Sequence, residues 1–420
     1  MIDKFGKDNS EYNKGIIEEV RKASPTVADL IEKEYNRQCH NVELIASENY
    51  CSEAVLAACG SCLSWKYAEG YPYQRTTGNK GRYYGGTEFV DQLEEYCCEK
   101  WREVFHTDYH VNVQPHSGSQ ANFAAYKAIL EPGDTILGLS LDNGGHLTHG
   151  SSVNFSGKLY NVQFYNVDEN GFIDMADLER KAEELRPKLI LTGASAYSRT
   201  IDFPAFAEIA KRVGAYFMVD MAHIGGLVAG GAHISPFGYA DIITTTTHKT
   251  LRGPRGGMIF CRPELAKKVD SAVFPYAQGG PLEHIIAGKA VCAEEALRPE
   301  FSEYAHKVVA NCKAFAAEFT RMGYKVVTGG TDNHVFLLDF SDYAFTGKDL
   351  QNALDEVGIT VNKNCVPNEK RSPMQTSGVR VGTAAMTTRG FTEEDFVNVA
   401  HRIDAVVKEL EAQKIAEANA

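Results

Sequence analysis

The sequence lacks the glycine patterns that mark the common nucleotide-binding folds. No two of its 37 glycines are separated by a single residue, so the G-x-G of a dinucleotide-binding turn is missing. No GK[ST] tripeptide occurs either, which removes the phosphate loop of Walker-type nucleoside triphosphatases. These two absences argue against nicotinamide chemistry and against nucleotide hydrolysis.

Long apolar runs and blocks of positive charge are also missing. No apolar stretch is long enough to span a membrane, and residues 1–15 lack the apolar core of a secretory signal. The net charge is -12, with 43 Lys and Arg against 55 Asp and Glu, and no cluster of cations offers the contacts that nucleic-acid phosphates require. We therefore expect a cytoplasmic protein that binds neither membranes nor nucleic acids.

The cysteines and histidines do not follow the spacings of disulfide frameworks or metal sites. Ten cysteines are scattered through 420 residues, mostly in apolar surroundings, which is typical of core thiols in a reducing compartment. His146 and His149 are three residues apart, and His106 and His110 four, but no third ligand accompanies either pair along the chain. The sequence predicts no metal site.

The order of predicted strands and helices indicates an α/β protein with a second domain. Between residues 134 and 261 strands alternate with helices, which favours a mostly parallel sheet covered by helices. Beyond Phe274 long helices are followed by short strands, as in an α+β domain. Residues 1–24 are polar and show no helical period, which indicates an arm. The predicted division is an N-terminal arm at 1–45, a large domain at 46–296 and a small C-terminal domain at 297–420.

Polar side chains fall just beyond the ends of several predicted strands. Lys249 follows the β-branched run DIITTTT, Asp220 and His223 follow AYFMV, Ser195 follows KLILTG, and His146 follows DTILGLSL. Each alone has a simple structural explanation, such as a solvated loop lysine or a hydrogen-bonded loop histidine. Because ligands bind at the carboxyl edge of such sheets, we expect these side chains to converge there.

Two further segments indicate binding. The strand VNVQ, the small-residue loop HSGSQ and the helix ANFAAYKAIL together predict an anion site at Ser117, Gly118 and Ser119, since the free N–H groups of a helix start attract anions. An ordinary serine-capped turn is the alternative. Residues 66–86 are rich in Gly and Tyr and lack any period, which is typical of a functional loop.

These residue types together suit pyridoxal 5'-phosphate. A lysine can bind the aldehyde covalently, an aspartate can keep the pyridine nitrogen protonated, and a helix start can hold the phosphate. An α-amino acid substrate also needs a group that binds its carboxylate. Arg380, in the predicted strand SGVRVGT, offers a bidentate guanidinium for that purpose.

The chain resembles serine hydroxymethyltransferase from about residue 40 to 390, in strings that keep the family's order. The strings are ELIASEN (43–49), KYAEGYP (66–72), RYYGG (82–86), NVQPHSGSQAN (112–122), GGHLTHG (144–150), SAYS (195–198), VDMAH (219–223), TTTTHKTLRGPRGG (244–257), QGGP (278–281), GGTDNH (329–334) and VNKN (361–364).

The resemblance implies a role for each matching residue. The cofactor would be held by Lys249 as its covalent anchor, with Asp220, His223, His146, Ser195, Arg255, Ser117, Gly118 and Ser119. Tyr67 and Gly280 would reach its phosphate from a neighbouring subunit. The substrate carboxylate would bind Arg380 and Ser47, helped by Tyr84 of that subunit, whose Glu69 would be the acid/base at the serine hydroxyl. His248 beside the lysine would also take part in catalysis, and Leu141, Gly145, Leu147 and Asn364 would line the folate pocket.

The implied reaction moves the hydroxymethyl carbon of L-serine to tetrahydrofolate, leaving glycine and 5,10-methylenetetrahydrofolate. The shared sites imply an obligate homodimer, with a tetramer left open. Two alternatives remain: a folate-independent threonine or β-hydroxy amino acid aldolase, and a non-catalytic binding protein on the same fold. The chain departs from the family pattern by an insertion at residues 73–81, which lies between Glu69 and Tyr84.

Overall fold

The computed structural model of the protein describes residues 2–7, 11–72 and 81–419. Apart from Gly81, the insertion therefore lies outside the described residues. The helices are α1 (Tyr12–Ala23), α2 (Pro25–His40), α3 (Glu53–Cys59), α4 (Glu88–Val104), α5 (Gly118–Ile129), α6 (Phe155–Leu159), α7 (Met175–Leu185), α8 (Phe203–Val213), α9 (Gly225–Ala229), α10 (Ala266–Ser271), α11 (Glu283–Ala296), α12 (Pro299–Arg321), α13 (Gly347–Glu356), α14 (Ala384–Thr388) and α15 (Glu393–Asn419). The strands are β1 (Val42–Glu43), β2 (His110–Asn112), β3 (Thr135–Leu139), β4 (Asn161–Tyr165), β5 (Leu189–Thr192), β6 (Tyr216–Asp220), β7 (Ile242–Thr246), β8 (Gly257–Cys261), β9 (Lys325–Val326), β10 (Val335–Asp339), β11 (Ile359–Thr360), β12 (Asn362–Asn364) and β13 (Gly378–Gly382).

Contacts divide the chain into two compact units. The central unit comprises Ala54–His306, and the terminal unit combines Met1–Glu53 with Lys307–Ala420. None of the helices in the described parts of the chain has both the length and the apolar character needed to cross a membrane.

The central unit is built on a seven-stranded sheet in the order β2-β8-β7-β6-β5-β3-β4. Neighbouring strands from β7 to β4 run parallel, and β8 runs antiparallel to both of its neighbours. Strands β5, β7 and β8 are buried along their whole lengths, as expected for a sheet covered on both faces. The predicted α/β fold class with a mostly parallel sheet is confirmed.

Helix α5 lies close against this sheet because small residues face it. Ala121, Ala124 and Ala125 are all buried, in one core cluster with Met218 and Ile259 of the sheet. Alanine side chains let a helix backbone approach the strands closely. The start of α5 is therefore brought near the carboxyl edge of the sheet.

The terminal unit has an antiparallel sheet in the order β12-β13-β10-β9 and a parallel pair of β1 with β11. Its core is rich in aromatic rings: Phe315 contacts Phe319, Phe336 and Phe396 at centroid distances of 5.2, 5.4 and 5.3 Å. All four rings are fully buried or nearly so. They join α12, β10 and α15 into one hydrophobic core.

The N-terminal residues differ from the irregular arm that the sequence indicated. Residues 12–23 form α1, in which Tyr12, Ile16, Ile17 and Val20 follow a helical spacing, although only Ile17 of this helix is buried. Residues 1–53 group with the C-terminal ones because Val42 pairs with Ile359 and because Arg389 donates hydrogen bonds to four carbonyl groups of residues 3–41. The predicted division at 45/46 and 296/297 stays a prediction.

We expect Phe336→Ala to lower the free energy of unfolding of the terminal unit by about 3–5 kcal/mol, because it leaves a cavity among aromatic rings. Phe5→Ala is the matched control, since Phe5 is 76% exposed in the same unit and its loss should cost less than about 0.5 kcal/mol. Chemical denaturation of both variants measures the difference. Equal effects would contradict the role assigned to this core.

Candidate active site

Lys249 lies three residues beyond the end of β7 and is 9% exposed. The loop that carries it is tied to the loop after β6, because the hydroxyl group of Thr250 donates to the carbonyl oxygen of His223 at 2.8 Å. Thr250 Oγ1 also accepts a hydrogen bond from the N–H of Gly226 at 2.9 Å. Lys249 and His223, which is itself buried, thus occupy adjoining loops at the carboxyl edge of the sheet.

Asp220, the last residue of β6, is the centre of a buried hydrogen-bond network. Its Oδ2 accepts from Asn122 Nδ2 at 2.9 Å and from His149 Nε2 at 3.0 Å. Its Oδ1 accepts from the N–H of Ala222 at 3.0 Å. The Asn122 side chain is fixed in turn by the hydroxyl group of Thr244, which donates to its Oδ1 at 2.6 Å. The carboxylate is therefore held in one orientation by three different elements.

The hydrogen bonds around His149 determine its tautomer and the charge of Asp220. The backbone N–H of His146 donates to His149 Nδ1 at 3.2 Å, so the proton of the neutral ring lies on Nε2 and points to Asp220. Burial is the largest single influence on Asp220 and would raise its pKa, but the hydrogen bonds from His149 and Asn122 and the electrostatic effect of His149 and His146 together outweigh burial and hold that pKa below its ordinary value. Asp220 is therefore ionised at neutral pH.

The segment from Gly144 to Gly150 positions His146 and Ser195. His146 Nδ1 accepts from the N–H of Thr148 at 3.2 Å and lies 2.8 Å from the Thr148 hydroxyl oxygen, which also accepts from Asn122. The N–H of Ser195 donates to the carbonyl oxygen of Gly144 at 2.8 Å. His146 thus joins the Asp220 network through Thr148 and Asn122, and Ser195 is bound to the segment that carries His146.

His146, His149 and Asp220 each offer a ligand atom within 4.8 Å of the others, so they could hold a metal ion. The sequence showed no third ligand near the histidine pair along the chain, and the fold brings Asp220 to the pair from a distant segment. Asp220 is distant in sequence, and only the parallel pairing of β5 with β6 and β3 brings these loops to one edge. The hydrogen bonds among the three residues also account for their closeness.

The predicted anion site lies at the start of α5. Ser117 is the N-cap residue, and its hydroxyl oxygen accepts from the N–H of Gln120 at 3.2 Å. A Cβ atom on Gly118 would lie 2.6 Å from Cγ2 of Thr246, so only glycine fits beside the end of β7. Ser119 is exposed. These residues form an open helix start next to the loop of Lys249, with the geometry that binds a phosphate.

Tyr67, Glu69, Tyr84 and Gly280 form a second cluster in the central unit. The hydroxyl groups of Tyr67 and Tyr84 donate to the two carboxylate oxygens of Glu69 at 3.4 and 3.2 Å, and their rings meet at 5.3 Å. A Cβ atom on Gly280 would lie 3.2 Å from the Tyr67 ring. Glu69 and Tyr84 are thus together despite the insertion between them, and their assignment to a neighbouring site stays a prediction.

Arg82 fixes the backbone of this cluster through hydrogen bonds to its carbonyl groups. Its guanidinium donates to the carbonyl oxygens of Ala68 and Gly70 at 2.8 and 2.9 Å, on either side of Glu69. It also donates to Asp91 at 2.7 Å and to Glu94 at 2.8 Å. The guanidinium is 2% exposed, and its hydrogen bonds fix the backbone on both sides of Glu69.

Arg380, Ser47 and Asn364 lie in the terminal unit. Arg380, in the middle of β13, is 9% exposed; its Nε donates to Asn362 at 3.0 Å, and burial lowers its pKa to about 10, so it stays cationic at neutral pH. Ser47 is near the end of the same strand, because the N–H of Gly382 donates to the carbonyl oxygen of Leu44 at 2.8 Å. Asn364 ends β12, beside β13.

The remaining predicted residues surround the sheet edge. Leu141 and Leu147 are 46% and 43% exposed, which suits side chains that meet a ligand. Gly145 lies where a Cβ atom would come 2.1 Å from the carbonyl oxygen of Leu139.

His248 is half-buried, and burial together with the charges of Lys249 and Arg255 lowers its pKa to about 3. It is therefore neutral. Arg255 itself is exposed.

Sequence reasoning missed three residues that organise these sites. His149 entered only as half of a histidine pair, Asn122 only within a matching string, and Arg82 likewise. Their common signal would have been a polar residue within an otherwise apolar or glycine-rich segment. Such residues are buried only when other groups satisfy their hydrogen bonds.

We expect His149→Phe to raise the pKa of Asp220, since the carboxylate loses one of its hydrogen bonds. Because the folded pKa is lowered, Asp220 stabilises the fold fully above the ordinary aspartate range near pH 4, and this stabilisation is lost as the pH falls through the folded pKa. The variant should therefore be less stable than the wild type at pH 7, and the difference should shrink on acidification. Carbon-13 NMR titration and denaturation measure both effects, with His306→Phe, at an exposed position, as control.

The comparison with known families agrees with this geometry. A sequence model of the family described as serine hydroxymethyltransferase matches residues 20–403 of the 420. Members are enzymes that use pyridoxal 5'-phosphate as cofactor and tetrahydrofolate as co-substrate, and they belong to one-carbon metabolism and serine–glycine interconversion. The match spans both units and includes every residue of the Asp220 network, so this chain belongs to the serine hydroxymethyltransferase family.

Proposed function

We propose that this protein transfers the hydroxymethyl carbon of L-serine to tetrahydrofolate in a reversible reaction that yields glycine and 5,10-methylenetetrahydrofolate. The observation that carries the proposal is the buried Asp220 carboxylate, ionised and oriented by His149 and Asn122, at the same sheet edge as Lys249. A fixed anion and a nearly buried amine at one edge are the two groups that a pyridoxal enzyme needs to activate its cofactor.

The residues present fit pyridoxal 5'-phosphate. The open start of α5 at Ser117–Ser119 suits a phosphate, and Asp220 can hold the proton of a pyridine nitrogen because its own pKa is low. The cofactor, when bound, supplies an electron sink for the charge left at Cα when the bond to Cβ breaks. Lys249 is proposed as its covalent anchor. His223, His146, Ser195 and Arg255 are proposed as further contacts.

Substrate binding and proton movement fall to other side chains. Arg380 is proposed to bind the substrate carboxylate, supported by its burial and its retained positive charge, with Ser47 as a second donor. Glu69 is proposed to hold or release the proton of the serine hydroxyl. Its two oxygens already accept from Tyr67 and Tyr84, which orient it for that task. Leu141, Gly145, Leu147 and Asn364 are proposed for folate, and neutral His248 as an aid to catalysis beside Lys249.

The surface around Glu69 supports a homodimer with shared sites. Trp65, Tyr83 and Phe89, which are close to Tyr67 or Tyr84 along the chain, are 87%, 78% and 76% exposed. Large exposed aromatic side chains are typical of protein–protein contacts. We propose that a second copy of the chain covers this surface and receives Tyr67, Glu69 and Tyr84 at its own Lys249. We also propose a cytoplasmic location, in line with ten cysteines that are all thiols.

Folate dependence tests the reaction. We expect purified protein loaded with cofactor to cleave L-serine much faster with tetrahydrofolate than without it, and to form glycine in equal amount to the methylenefolate product. Lys249→Ala should abolish multiple turnover because the covalent anchor is lost. Equal rates with and without tetrahydrofolate would instead support the aldolase alternative.

A complementation experiment tests the shared site. Glu69→Gln keeps the shape and hydrogen bonds of the side chain but cannot take a proton, so we expect serine cleavage to fall by about 10²–10⁴-fold with little change in cofactor binding. Mixing this variant with Lys249→Ala and letting subunits re-pair should restore about a quarter of the wild-type activity if Glu69 acts across a dimer, since only half of the pairs are mixed and each has one intact site. No recovery in verified mixed dimers would place Glu69 in its own chain's site.

A further inference from the structure

Lys289 is a fully buried lysine in the middle of α11, 1% exposed. Its Nζ donates to the carbonyl oxygens of Val113, Pro115 and Gly257 at 2.6, 3.1 and 2.8 Å. Three acceptors use all three N–H bonds of an ammonium group, whereas a neutral amine has only two. The geometry therefore fits the charged form. Burial lowers its pKa to about 8, which leaves it protonated at pH 7.

This cation has no direct ion pair among residues 2–7, 11–72 and 81–419. None of their carboxylates lies within 4 Å of Lys289 Nζ, and burial raises the pKa of Glu94 on the neighbouring helix α4, which works against its ionisation. A buried cation whose direct hydrogen-bond partners are peptide carbonyl groups and not carboxylates is costly for the fold. Its position therefore needs an explanation beyond packing.

The three carbonyl groups belong to two segments that meet at the proposed cofactor site. Val113 and Pro115 lead directly into Ser117, and Gly257 begins β8 at the end of the loop that carries Lys249. The two segments also touch, since the N–H of Gly257 donates to the carbonyl oxygen of Pro115 at 3.1 Å. The ammonium group thus lies at the junction of the anion site and the lysine loop.

We propose that Lys289 is a positioning residue for the cofactor phosphate: it fixes the backbone that leads into Ser117–Ser119 and adds a buried positive charge close to that helix start. This inference rests on the proposed anion site. It predicts an effect specific to the phosphate, because both contributions act where the anion binds. A lysine that merely ties α11 to the sheet would affect every ligand of the site alike.

The test compares pyridoxal 5'-phosphate with pyridoxal, which lacks the phosphate. Apoprotein is titrated with each ligand, and the visible absorption of the lysine-bound ligand gives its Kd. We expect Lys289→Met to weaken pyridoxal 5'-phosphate binding by about 10- to 100-fold, the usual effect of losing a hydrogen-bonded charge, and to change pyridoxal binding by less than about threefold. Lys127→Met, on α5 with its lysine paired to Glu131, is the control and should leave both Kd values unchanged.

A second variant covers the case in which Lys289→Met fails to fold. A Cβ atom on Gly256 would lie 2.6 Å from Lys289 Cε and 3.1 Å from Nζ, so Gly256→Ala displaces the ammonium group without removing its charge. We expect the same selective loss for the phosphate ligand, to a smaller degree. An equal loss for both ligands, or no loss for either, in a folded variant would overturn the proposal.

The outcomes also separate this inference from the proposed reaction. If the wild type binds pyridoxal 5'-phosphate no more tightly than pyridoxal, the anion site itself is wrong and the inference fails with it. If the wild type discriminates between the ligands but cleaves serine without regard to folate, the proposed reaction fails and the role of Lys289 stands.

Discussion

The buried carboxylate of Asp220 is the constraint on which the central unit depends. A charge at the end of a fully covered sheet is stable only when every acceptor position is satisfied, and here the donors come from α5, from the segment 144–150 and from the loop after β6. Because these donors lie far apart in sequence, the network forms only when β3, β5 and β6 are aligned in register. The same contacts that keep Asp220 ionised therefore also require β3, β5 and β6 to be aligned at the carboxyl edge of the sheet.

Close backbone approaches complete that edge. A Cβ atom on Gly193, after β5, would lie 2.1 Å from the carbonyl oxygen of Asp220, and one on Gly257 would lie 2.3 Å from that of Ser117. Gly193 also has a φ of +123°, which other residues rarely adopt. Small residues at these points let Asp220, the start of α5 and the loop of Lys249 approach one another at the carboxyl edge of the sheet.

The sequence was sufficient to locate those residues that directly follow the end of a strand or begin a helix. Lys249, Asp220 and Ser117 could be found because β-branched runs and small-residue loops define where buried strands stop and helices start. His149, Asn122 and Arg82 could not be found in this way, because their importance comes from partners that are distant along the chain. Helix α1 was missed although Ile16, Ile17 and Val20 have helical spacing, because these few apolar residues stand in an otherwise polar segment.

Arg82 explains how an insertion can be accommodated close to Glu69, the proposed acid/base. Gly70 and Arg82 form a β-bridge with each other. The guanidinium of Arg82 also binds the carbonyl groups of Ala68 and Gly70, on both sides of Glu69. Each added residue between two fixed ends raises the entropic cost of holding those ends together only slowly, as a logarithm of the length, whereas Gly70 and Arg82 are fixed by several charge-assisted hydrogen bonds. The orientation of Glu69 thus depends on the contacts of Gly70 and Arg82 and not on the number of residues between them.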